Sequence, residues 1–306
     1  TKDTRFRNAN TLTYDFKKVM AEDHHLNVLV GQESIEYNSN TVTSTIHGYP
    51  TFFDFDQAKK LTTQGSPQSV DNYYSPDDKL LSFFGRANYD YKNRYILSAT
   101  FRADGSSKFL SQNRWGYFPA FAAGWKISEE SWMKNQSWLS LLKLRASYGE
   151  AGNNNIPVGQ QIQIFQSTAT SWINGVTSVW APSKTMPNPD LKWETTVTQN
   201  FGLDFAFFKN RLSGNFDIYK NITSDLLINF PVAGSGYDFQ YRNMGETQNT
   251  GFEATLNVVA IEKAKYGLNF SFNMGINKNR INSLGTMNDF GQATGWASSQ
   301  IGDDYL

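Results

Sequence analysis

The chain has no cysteine among its 306 residues, so neither disulfides nor thiolate metal sites contribute to it. It has no apolar run of about 18 residues, which excludes a transmembrane helix. Neither sign of charge dominates: 28 Lys and Arg balance 28 Asp and Glu, and the pI of 6.8 points to no nucleic acid or other strongly electrostatic partner. A phosphate-binding loop and a zinc-helix signature are both lacking, and Gly234 with Gly236 has neither a third glycine nor a following helix. The opening segment TKDTRFRNAN has no apolar stretch of the kind a secretory signal needs. It reads as though already inside a strand, so the chain is expected to be a piece of a longer protein. The mean hydropathy of -0.51 resembles that of a water-soluble protein, but a membrane barrel with a polar lumen and polar loops has the same average.

What the chain does have is period-two alternation. Tyr95, Leu97, Ala99, Phe101 and Ala103 point one way, and Ser98, Thr100, Arg102 and Asp104 the other. The pattern returns at Tyr117 to Ile127, at Leu142 to Tyr148, at Val197 to Phe207, at Leu212 to Ile218 and at Tyr266 to Asn277. Long strands with one apolar, aromatic face and one polar, charged face suit a wall between lipid and a watery lumen. A half-buried soluble sheet gives the same alternation.

Loop lengths discriminate between the two. Along about ten strands every second connection is tight, as at Lys92–Arg94 and Lys209–Asn210, and the others are longer, as at 38–78, 150–190 and 231–241. Outer-membrane barrels place short turns on the periplasmic side and long loops outside. Tyr89, Tyr91, Tyr95, Phe205, Phe207 and Tyr266 flank tight turns on the apolar face, where an interfacial girdle belongs. About ten strands would close only a narrow, side-chain-filled barrel, whereas plugged transporters use about 22. The expected fold is therefore all-β: a partial, antiparallel, up-and-down transmembrane barrel. Residues 128–136 read as a helical turn with Ser128 as N-cap and Glu129 and Glu130 as first-turn charges.

Several long segments carry a resemblance. FRADGSSKF (101–109), NRWGYFPAFAAGWKISEE (113–130) and LKLRASYGEAGN (142–153) come first; NPDLKWETTVTQNFGLDFAFFKNRLSGNFDIYKNITSDLL (188–227) and NMGETQNTGFEATLN (243–257) follow in order. Together they resemble the barrel region of SusC/RagA TonB-dependent outer-membrane transporters, over about Thr11 to Ile281. The resemblance implies a 22-stranded barrel of which residues 1–306 supply roughly half the wall, with the plug and the TonB box lying in a missing N-terminal region. It implies partnership with a SusD-like surface lipoprotein and the TonB complex, with oligosaccharides or peptides as substrate. The alternatives are a passive barrel or adhesin, and a soluble all-β carbohydrate-binding domain.

Chemistry is sparse: no catalytic constellation, cofactor site or metal site is expected. His24 and His25, beside Glu22 and Asp23, point in different directions on a strand or turn. Asp54 and Asp56 with Gln57 lack the glycine and distant glutamate of a calcium loop. Arg86, Arg102, Asp104, Arg145, Asp204 and Asp217 fall on polar strand faces, where they either pair with one another across a hydrated wall or meet a plug or solute. Trp172, Trp180, Tyr237 and Phe239 lie in long loops, where aromatic rings stack on sugars, pack on a partner or pack within the loops.

Overall fold

The structure is a computed structural model that describes residues 1–168, 179–232, 234–285, 289–294 and 297–300. Its strands begin with β1 (Lys2–Asp15), β2 (His24–His47), β3 (Ser66–Tyr74), β4 (Asp78–Tyr91) and β5 (Tyr95–Ser106). There follow β6 (Trp115–Lys126), β7 (Leu139–Asn153), β8 (Phe165–Thr168), β9 (Val179–Pro182) and β10 (Thr185–Met186). The remainder are β11 (Glu194–Phe207), β12 (Leu212–Ser224), β13 (Leu227–Pro231), β14 (Phe239–Asn243), β15 (Glu246–Lys263), β16 (Tyr266–Ser283), β17 (Asp289–Thr294) and β18 (Ala297–Gln300). One short helix, α1 (Phe55–Lys60), lies between β2 and β3.

Ten strands form one continuous meander in the order β1-β2-β4-β5-β6-β7-β11-β12-β15-β16. Every neighbouring pair is antiparallel. Because paired residues share a face, the registers extend the apolar alternation of each strand across the sheet. One row runs Tyr91, Tyr95, Trp125, Leu144, Leu203, Phe216, Ala254, Met274. It starts beside a tight turn at Tyr91 and ends far up β16 from Tyr266. That stagger is the shear a tilted barrel requires.

The apolar face stays open. Ile218, Phe121, Phe270, Phe272 and Ile276 are between 57% and 61% exposed, and no second sheet covers them among the described residues. Left in water, each such side chain forgoes about 1.5–3 kcal/mol of burial; lipid supplies that burial, so the soluble two-sheet alternative is not the fold. Along β16 the apolar band runs from Tyr266 through Leu268, Phe270, Phe272 and Met274 to Ile276, a stretch that matches the roughly 9–11 residues a tilted strand needs to cross a bilayer.

The turns hold where sequence chemistry puts them. Lys92 and Asn93 both take φ of 54°, and the Arg94 amide closes the turn on the Tyr91 carbonyl at 2.9 Å; this is the primed geometry that matches strand twist. Phe208, Lys209 and Asn210 have positive φ in the β11–β12 turn.

Several expectations are corrected. Strand β2 does not end near Tyr37 but runs to His47 and pairs with β3, so much of the segment 38–78 is a projecting ribbon. Its run Thr41–Ile46, in which every residue but Ser44 is β-branched, is good strand material once a partner lies beside it. The segment 150–190 contains the β8–β9 hairpin and β10, and 231–241 overlaps β13 and β14. These strands are too short, at two to five residues, for periodicity to reveal them, and β10 pairs with the distant β14. Residues Ile127–Glu129 form a 3-10 turn capped from Lys126 without a side-chain bond, and Ser128 is a buried member of it rather than its N-cap.

Candidate functional site

The polar face of the sheet carries two charged clusters. Arg102 donates through Nε to both Asp104 oxygens at 2.8 Å and through Nη2 to the fully buried Ser82 at 2.9 Å. Glu33 joins it to Arg7: its Oε2 lies 3.5 Å from Arg102 and its Oε1 accepts from the Arg7 Nε. The second cluster centres on Arg145, whose Nε meets both Asp204 oxygens at 2.9 Å and whose Nη2 reaches Asp217 at 3.0 Å. Asn215 adds a 2.8 Å bond to Asp217. A guanidinium holding two carboxylates is a fork that a lysine could not reproduce.

The Arg145 cluster exists because position 202 has no side chain. A Cβ at Gly202 would lie 2.6 Å from Asp217 Oδ1 and 2.7 Å from the Arg145 Cζ, so the guanidinium crosses β11 through that gap. Five of the six charged residues singled out on polar faces thus gather in two clusters. Arg86 belongs to neither and donates to Thr100 Oγ1 at 3.2 Å. The periodicity pointed to the charges but not to Glu33, Ser82 or Gly202, whose roles depend on cross-strand register.

At the long-loop end the wall supports a folded cap. Phe109 and Leu191 are wholly buried, with Phe118, Ile156 and Trp193 around them and Leu80, Leu227 and Tyr241 packed against them. The Trp193 ring lies 5.5 Å from both Phe109 and Phe118, and its Nε1 donates to the Arg114 carbonyl at 2.9 Å. Asparagine amides tie the loops together. Asn188 donates to the Tyr241 carbonyl at 2.8 Å, while Asn243 donates to the carbonyls of Lys192 and Asp225 and accepts from the Lys192 amide. Each such amide supplies donors and an acceptor to backbone that no ladder satisfies.

The loop aromatics divide. Tyr237 donates its hydroxyl to Gln163 Oε1 at 2.9 Å, joining the β13–β14 connection to the loop after β7. Phe239, at the start of β14, is 44% exposed. Trp172 lies outside the described residues, and of Trp180 only its backbone place in β9 is described.

Opposite the cap, at the tight-turn end, Glu130 gathers the girdle. Its carboxylate accepts from Tyr95 Oη at 2.7 Å, Trp125 Nε1 at 2.9 Å and Arg94 Nη1 at 2.9 Å. Those bonds, Tyr95's foremost, hold its acid below the ordinary carboxylate range. Tyr91, Tyr95 and Trp125 stack in a row beside it. Glu130 is therefore a girdle clamp, not the first-turn helix charge its sequence position suggested. His24 sits on the same rim, its Nδ1 2.7 Å from Tyr89 Oη, and Asp54 caps α1 by accepting from the Gln57 amide.

Comparison with known proteins identifies the architecture. Residues 1–300 match the family described as TonB dependent receptor-like, beta-barrel. The chain is 33% identical over 291 residues to TonB-dependent receptor P39 of Formosa agariphila, covering 93% of this chain and 27% of that protein. It is 34% identical over 263 residues to TonB-dependent receptor SusC of Bacteroides thetaiotaomicron, covering 84% and 25% respectively. The solved structure of the RagAB peptide transporter superposes with a TM-score of 0.84 at 29% identity, over 98% of this chain and 32% of that one. The chain spans about a quarter of these curated relatives and about a third of the solved chain. Tight turns, sheared registers, a lipid-facing band and these matches agree: the chain belongs to the TonB-dependent receptor-like β-barrel family, in its SusC/RagA branch, and forms outer-membrane barrel wall.

Proposed function

We propose that this chain is roughly half the wall of an energised outer-membrane importer of large nutrients, oligosaccharides or peptides, acting with a SusD-like surface lipoprotein as lid. The observation that carries this reading is the joint likeness to SusC in sequence and to the RagAB peptide transporter in structure, each spanning most of the chain. The rest of the barrel, a plug and a TonB-binding segment belong to the longer protein in this reading. The wall contributes two things. Its clusters around Arg102 and Arg145 form a hydrated lining in which most charges are paired, Lys143 adding a 3.9 Å contact to Asp204, so that a plug or solute sliding past meets few exposed charges besides Arg86. Its cap, built on Phe109, Leu191 and Trp193, is a firm platform for the lid, with the half-exposed Phe239 and the loop residues Tyr237, Trp172 and Trp180 as contacts for lid or substrate. Transport is then binding followed by a driven conformational change, with no covalent chemistry.

The test uses the full-length protein in its own outer membrane. Co-purification of a surface lipoprotein, with uptake of a fluorescent oligosaccharide or peptide that a protonophore stops, is the expected result. Uptake that persists without an energised inner membrane, with no lipoprotein bound, would replace this reading by a passive barrel. Comparing the two cargo classes in the same assay decides between oligosaccharide and peptide.

A further inference from the structure

The lumenal face of the wall is charged in some places and neutral in others. Across β11, β12, β15 and β16, three successive outer rows of that face hold no charged residue. They start on β11 at Asn200, Thr198 and Thr196 and consist of amides, hydroxyls, one tyrosine, one glycine and one isoleucine. One row inward, Asp217 is bridged to Arg145 and Glu253 is exposed. One position outward on β11, Glu194 accepts from the Asn153 side chain and the Leu227 amide. Both glutamates keep their negative charge, so the neutral field lies between two anions.

Within this field Tyr219 reclines on the wall. Its register partner on β15 is Gly251, where an added Cβ would overlap the Tyr219 Cζ and Oη. The ring therefore crosses β15, and its hydroxyl donates to Asn277 Oδ1 on β16 at 3.3 Å. It stays half-buried, with its remaining surface turned to the lumen. One row outward, Asn221 and Asn249 are register partners, and the side-chain oxygen of each is buried with no donor among the described residues. Buried acceptors of this kind call for a partner. The last torsion of an asparagine is broad, so either amide can turn its oxygen to a donor arriving from the lumen. Beyond them the Thr196 and Thr223 hydroxyls lie 2.9 Å apart.

An aromatic ring beside neutral acceptors suits a sugar, whose C–H face packs on the ring while its hydroxyls donate to amides. A peptide is served less well. Strands β11, β12 and β15 are paired on both sides, so they offer no open edge to a peptide main chain. We propose that Tyr219, with Asn221 and Asn249, forms a lumenal subsite for one neutral sugar unit of an oligosaccharide. The assignment rests on the import reading and deepens it by naming the cargo. Glu253 and Glu194, on either side of the subsite, disfavour uronates and other anionic sugars.

The test is equilibrium binding to the purified full-length protein in detergent, with neither lipoprotein nor energised membrane. The probes are neutral hexasaccharides of glucose, mannose, galactose and xylose, hexasaccharides of uronates, and uncharged hexapeptides. Expected is preferential binding of at least one neutral hexasaccharide, with affinity about tenfold weaker in Tyr219→Ala. Tyr219→Phe keeps the ring and should stay within about twofold of the unaltered protein. The double variant Asn221→Ala, Asn249→Ala should bind about fivefold more weakly. Heat-modifiable migration checks folding, and the asparagine pair carries the test if Tyr219→Ala does not fold. Binding of no neutral hexasaccharide, a preference for uronate or peptide, or unchanged affinity in the folded variants overturns the proposal. Energised uptake of peptide with no sugar bound would remove the subsite and leave the import reading standing. Sugar bound at Tyr219 without energised uptake would do the reverse.

Discussion

The two ends of the wall are built on opposite principles. At the tight-turn end, order is local: a two-residue turn at Lys92 and Asn93, a row of stacked rings and one carboxylate, Glu130, holding Tyr95, Trp125 and Arg94. At the long-loop end, order is collective. Segments from after β5 to before β11 bury Phe109, Ile156, Leu191 and Trp193 together, as a small soluble domain would. The difference follows from the solvent on each face. Near the turns lipid already covers the apolar side chains, so only the rim needs fixing; beyond the membrane the loops must supply their own core.

Substitutions can separate the two ends. The largest effect is expected from Trp193→Ala, which removes the ring between Phe109 and Phe118 and the bond to the Arg114 carbonyl. A loss of about 3–5 kcal/mol is typical of such truncations. Limited proteolysis of intact cells should then cut the loops around 154–193 while heat-modifiable migration of the barrel persists. If migration is lost as well, cap and wall are one cooperative unit and the contrast fails.

Next in size is Gly202→Ala, which drives a methyl group into the Arg145 bridge and is expected to cost about 1–3 kcal/mol by overpacking. Gly275→Ala is the control, since its nearest neighbour is Glu253 Cγ at 3.9 Å. Urea unfolding in detergent should show a clear gap between the two variants; equal midpoints would mean that the guanidinium has another route.

Asn93→Ala should cost about 1 kcal/mol, because alanine tolerates the left-handed backbone at φ 54° less well. Asn93→Gly should recover most of that loss in the same measurement, unless the Asn93 acceptor for Lys126 Nζ matters more than the backbone.

The smallest effect is pH-dependent. Glu130 is held below its ordinary range in the folded wall. Its contribution is therefore present above the unfolded carboxylate value of about 4.3 and fades as pH falls through the lower folded value. In Glu130→Gln that part of the acid dependence of the melting midpoint should vanish, leaving the two proteins closest at the acid end. A parallel pair of curves would show that the clamp does not titrate with folding.

Much of the wall was legible because a strand writes its environment into every second residue. Tyr266 to Ile276 and Phe201 to Phe207 declared their lipid face without any partner in view, and Lys209 with Asn210 declared a turn. Long-range pairing was not legible in that way. The β2–β3 ribbon, the β10–β14–β13 sheet and the Arg145 bridge through Gly202 join residues far apart in the chain. Likewise, Glu130 looked like a helix charge because its true partners, Arg94 and Tyr95, belong to another hairpin.

The sequence by itself determined that this chain is a two-faced β wall with alternating short and long connections, since side-chain periodicity and turn chemistry are properties of neighbours along the backbone. Only the tertiary structure decided which charges pair with one another and which loops share a core. Those depend on register, and register is set by the closing of hydrogen-bonded ladders between strands rather than by any one strand.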